Sequence, residues 1–74
     1  MAKYQGYKNW NHWNVSLWLF NDEDLYRRLH DTIRVTVSLD HAAEVMVRFL
    51  PYETPDGAPY TYTSVRAAIA GWEG

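Results

Sequence analysis

Apolar and polar positions along this chain change rhythm several times, and each change falls next to a residue that can cap a helix. Trp10, Trp13, Leu17 and Phe20 recur at three- and four-residue spacing, which is one face of a helix. Asn9 or Asn11 is placed to cap it, because an Asn side chain accepts from first-turn amides that have no partner inside the helix. Asn21 is the expected cap of a second helix, with Asp22, Glu23 and Asp24 in its first turn, where the helix dipole favours negative charge. Leu25, Leu29 and Ile33 then form an apolar stripe at intervals of four.

Between Ile33 and Leu39 the pattern becomes a strict alternation rich in β-branched residues, the signature of a strand. A lone strand must pair its backbone groups, and the best partner, Tyr60 to Thr63, is short. A second helix fraying near Val35 and a third capped by Ser38 fit better, because Leu39, Ala42, Ala43, Met46, Phe49 and Leu50 sustain a helical face. A short strand over 33–39 stays open as the alternative. Residues 51–59 hold all three prolines, and Pro55-Asp56-Gly57 has the chemistry of a chain reversal. Thr63 or Ser64 is the expected cap of a last helix carrying Val65, Ile69 and Trp72 inward, with Gly71 and Gly74 near its end. These elements predict an all-α fold, a small bundle of three to four helices in a single domain over residues 1–74.

Composition narrows the setting. A chain of 74 residues has one modest core, so its twelve aromatic residues weigh heavily in it. Trp13 and Trp18, five positions apart, would cover both sides of the first helix and make it central to the fold. With no cysteine, burial must hold the fold without a disulfide, which fits a reducing cytoplasm. No apolar run approaches bilayer-spanning length and the first residues carry no signal-peptide pattern, so the expectation is an unanchored cytoplasmic protein with no membrane role. The net charge of -2 argues against non-specific nucleic-acid binding. Residues 1–37 are slightly basic, whereas Asp40, Glu44, Glu53, Asp56 and Glu73 outnumber Arg48 and Arg66 in the second half. An acidic face of that kind can dock on a basic surface.

Candidate catalytic chemistry is sparse. His41 and Glu44 stand three apart on the third helix, but a zinc site needs three or four protein ligands, so no metal or cofactor is expected. Ser16, Ser38 and Ser64 lack the glycine context of a nucleophile elbow, and the four glycines form no phosphate-cradling loop. The expectation is a protein that is not an enzyme. Tyr52, Tyr60 and Tyr62 cluster around the acidic loop with Glu53 and Asp56, a mixture suited to a protein–protein contact. Tyr4, Tyr7 and Trp10 interleaved with Lys3 and Lys8 form a second candidate, a stacking surface for single-stranded nucleic acid. An oligomerising role is the third, and it predicts an exposed apolar helix face.

The stretch from Gly6 to Tyr26, above all Trp13-x-Val15-x-Leu17-Trp18-x-x-Asn21-Asp22-Glu23, resembles a signature of small phage and mobile-element proteins of unknown function. The similarity covers about the first third of the chain, and His12 departs from it where a Thr or another polar residue is usual. In size and character the chain also resembles the anti-CRISPR proteins. That resemblance implies a phage-encoded inhibitor, acting in the host cell, that binds a type I CRISPR–Cas surveillance complex (Cascade), type I-C foremost, and keeps target DNA out of its basic channel. It implies a monomer contacting that complex through Asp40, Glu44, Glu53, Asp56 and Glu73, with Tyr52 and Tyr60 as aromatic anchors and no direct nucleic-acid contact. The alternative is a phage accessory domain that binds another host protein or single-stranded nucleic acid.

Overall fold

The computed structural model describes the backbone of residues 6–73 and the side chains of residues 6–71. Four helices follow one another: α1 (Trp10–Asn21), α2 (Glu23–Val35), α3 (Leu39–Phe49) and α4 (Tyr62–Glu73). Among the described residues there is no strand, only one antiparallel bridge between Glu53 and Pro59 in the loop before α4. The protein is therefore all-α, and the strand alternative for residues 33–39 is replaced by the end of α2, a turn and the start of α3.

Caps set most of the helix boundaries. Asn9 accepts from the His12 amide at 2.9 Å and starts α1. Asp22, rather than Asn21, caps α2: its carboxylate accepts from the Leu25 amide at 3.0 Å, while its own amide donates to the Trp18 carbonyl and closes α1. Asn21 remains in α1 and donates its side-chain amide to the Leu17 carbonyl at 2.7 Å. One residue thus ends one helix and begins the next. Ser38 accepts from the His41 amide at 3.1 Å and starts α3 after the break at Val35. The cap of α4 is Thr61, not Thr63 or Ser64. Its hydroxyl accepts from the Ser64 amide at 3.1 Å, and Ser64 reciprocates by accepting from the Thr61 amide at 3.0 Å.

Packing joins α1 to both α2 and α4, and α3 to the same two helices, so the four close into a ring. Val15, Leu19, Leu29, Ala42, Ala43, Met46, Ala58, Tyr60, Val65, Ala68 and Ile69 fill its centre. Burying a side chain such as Leu19 contributes about 1.5–3 kcal/mol, and its removal costs more once a cavity remains. The inward arc of α1 is Asn14, Val15, Ser16 and Leu19, not the expected line of Trp10, Trp13, Leu17 and Phe20. Trp10 and Leu17 are exposed, while Trp13, Trp18 and Phe20 are half-buried at the margins. Because α1 must face two helices at once, its smaller residues enter the centre and its rings cover the edges. Phe49, expected inward, is 62% exposed at the last turn of α3, where Leu50 takes the inward place.

Candidate interaction surface

The five acidic residues singled out in the sequence fall into different environments. Asp56 lies in a turn whose 2.9 Å bond from the Gly57 amide to the Thr54 carbonyl puts Pro55 and Asp56 at its centre. Gly57 follows with φ +97°, a conformation that a side chain disfavours. Asn14 and Trp18, one turn apart on α1, both donate to the same Asp56 carboxylate oxygen, each at 2.9 Å. Thr54 completes the junction. Its hydroxyl donates to the Asn14 carbonyl oxygen at 2.6 Å and accepts from the amides of Asp56 and Ala58. The donors from Asn14 and then Trp18 hold the Asp56 carboxyl below the ordinary 3.8. Asp56, though exposed, therefore fastens the loop to α1.

Tyr60, expected as an aromatic anchor, is 7% exposed and belongs to the core. Its hydroxyl is buried with no hydrogen-bond partner among the described residues, and burial, with the Asp22 charge, pushes its pKa above 10. The chain approaches α4 extended, with the Tyr60 amide donating to the Tyr52 carbonyl at 3.0 Å, and successive side chains of such a segment alternate in direction. Tyr60 enters the core while Tyr62, two residues on, is on the surface. Sequence reasoning noted Tyr62 in the cluster but did not choose it; the two-residue spacing of the tyrosines was the available signal.

Tyr62 organises the outer junction of α3 and α4. Its phenol lies beside the Asp40 carboxylate, which accepts from the Arg66 guanidinium Nε at 2.6 Å. Arg66 holds Asp40 below its usual range, first by that hydrogen bond and then by its charge. Burial and the Asp40 charge push the Tyr62 phenol upward, and Glu44 adds to the effect. Beside this triad an open groove is lined by Glu44, Val47, Arg48 and Tyr62. Glu44 and Arg48 stand at the i,i+4 spacing that favours a helical ion pair, yet no pair forms within 4.0 Å. On α2 the same kinds of spacing do close, with Arg27 3.8 Å from Glu23 and Arg34 3.6 Å from Asp31.

At the neighbouring loop, Tyr52 is 80% exposed and Glu53 is exposed beside it. The structure thus brings Asp40 and Glu44 together around Tyr62, sets Tyr52 and Glu53 on the loop leading to it, leaves Asp56 exposed but engaged by α1, and buries Tyr60. The Glu73 side chain lies outside the described residues. The alternative basic–aromatic surface is partly inaccessible. Tyr7 is half-buried, its hydroxyl 2.7 Å from where a Cβ on Gly71 would lie, so that glycine makes room for the ring. Lys8 and His12 line the same cleft, where burial and then the Lys8 charge lower the His12 pKa; Lys3 and Tyr4 lie outside the described residues. Among the described residues no three His, Asp or Glu side chains gather as metal ligands, His41 and Glu44 included. No helix among them is long and apolar enough to cross a membrane.

A family model described as a family of unknown function, DUF7249, matches residues 1–69. The chain belongs to that family. The match includes α1, α2, α3, the 51–59 loop and most of α4, so this DUF7249 member carries both the Asp56 junction and the α3–α4 groove within the family region. No curated protein and no solved structure matches the chain.

Proposed function

We propose that this protein is a binding module that disables a host complex, and that its target is a type I CRISPR–Cas surveillance complex (Cascade), type I-C in the first instance. The similarity of Trp13–Glu23 to a phage signature supports the setting. The observation that carries the binding role is the edge formed by Tyr52 and Glu53: an aromatic ring 80% exposed, with an exposed acid at the next position. Tyrosine supplies contact area with little loss of freedom, and neighbouring acids steer it toward a basic surface. Glu44 and Tyr62 extend that edge toward α3, and Asp40 contributes a carboxylate already shared with Arg66. Target DNA would be kept out by occupation of a basic channel, with the protein itself making no nucleic-acid contact.

The experiment is capture of type I surveillance complexes by the tagged protein, followed by a gel shift with target DNA. Co-purification with loss of the shift, both weakened at least tenfold by Tyr52→Ala and Glu53→Lys, is the expected result. Absence of capture across the type I complexes overturns the target and returns the protein to an accessory domain with another partner.

A further inference from the structure

We propose that the outer face of α3 is also a self-association surface, on which a second copy of this chain lies with its α3 antiparallel to the first. Two opposite charges stand open on this face. Glu44 and Arg48 are one helical turn apart, about 6 Å along the axis, on the rim of the groove that contains Val47 and Tyr62. Their favourable spacing goes unused within the chain, whereas on α2 Arg27 and Arg34 meet acids of their own helix.

A two-fold axis passing midway between these residues puts Glu44 of each copy opposite Arg48 of the other. Two equivalent ion pairs then flank the apolar floor made by Val47 and Tyr62, which is the self-complementary arrangement that a two-fold interface requires. Asp40, the remaining acid in the same row, does not disturb this balance, because Arg66 on its own chain already neutralises it. The exposed ring of Phe49, one residue beyond Arg48, lies at the same end of the helix and adds apolar area. A face with both signs of charge around an apolar centre is complementary to a copy of itself. The contact spans little more than one short helix, so the dimer is weak and concentration-dependent.

This inference does not rest on the inhibitor reading. It is tested by sedimentation equilibrium from about micromolar to millimolar protein, with circular dichroism confirming that every variant is folded. The wild type is expected to pass from monomer to dimer, E44R and R48E each to remain monomeric, and the double variant E44R/R48E to recover dimerisation. Mixing the two single variants should give a heterodimer, since each then supplies the charge that the other lacks. A wild type that stays monomeric at all concentrations, or a dimer indifferent to E44R, overturns the proposal. So does failure of both the double variant and the mixture to associate. Capture of a surveillance complex is scored separately with Glu53→Lys, so either idea can fail while the other stands.

Discussion

The loop junction on α1 and the outer groove between α3 and α4 use similar residue types to opposite ends. At the junction, Asp56 meets Asn14 and Trp18, Asn14 meets Thr54, and Thr54 accepts two backbone amides, so the polar groups satisfy one another. At the groove, Glu44 and Arg48 remain open around an apolar floor. A carboxylate in an acidic stretch therefore says little about binding until its partners are known. Where its hydrogen bonds are met inside the fold it holds structure, and where they are not it is available to another molecule.

The sharpest way to break this contrast is Asn14→Ala. It removes a buried side chain that joins Thr54 to Asp56, and urea denaturation should show a loss of about 2 kcal/mol. A loss below about 0.5 kcal/mol would show that the junction does not hold the loop. Thr61→Ala is next: it removes the cap of α4 and with it the support that positions Tyr62, at a cost of about 1 kcal/mol in the same measurement. Tyr60→Phe should act in the other direction. Deleting a buried hydroxyl with no protein partner raises stability by up to about 1 kcal/mol, and a marked loss would mean that the hydroxyl is satisfied after all.

Acid titration separates the two regions by a smaller effect. Asp56 has a folded pKa below 3.8, so its contribution is present above that value and disappears as the pH falls through the lower folded one. Asp40 follows the same sign through Arg66. Asp56→Asn should flatten the acid limb of stability, monitored by tryptophan fluorescence and circular dichroism. The smallest effect is expected from Glu44→Gln and Arg48→Gln on the urea midpoint of dilute protein: no measurable shift. A clear drop would mean that these charges stabilise the isolated chain and are not open.

Much of the fold was legible because its signals are local. The apolar stripe of α2, the break near Val35, the Ser38 cap and the Pro55–Gly57 reversal depend on contacts within three or four residues, and the structure has each of them. The misplacements also have physical reasons. Asn21 and Asp22 are both competent caps, and the choice went to the residue whose side chain reached the Leu25 amide while its neighbour turned back to Leu17. The inward arc of α1 could not be taken from its tryptophans, because packing against two helices selects small residues for the centre. For the candidate surface, Tyr52, Glu53, Asp56 and Glu44 were legible as exposed polar or aromatic positions, but the burial of Tyr60 and the bonds from α1 to Asp56 were not, and Tyr62 was passed over.

By itself the sequence determined a cysteine-free, all-α protein of three to four helices with an acidic second half and polar caps at its breaks, since capping and helical periodicity are properties of neighbouring residues. The tertiary structure alone decided which acids are free. That outcome depends on meetings such as Asn14 with Asp56 and Asp40 with Arg66, across 42 and 26 residues, which no local pattern encodes.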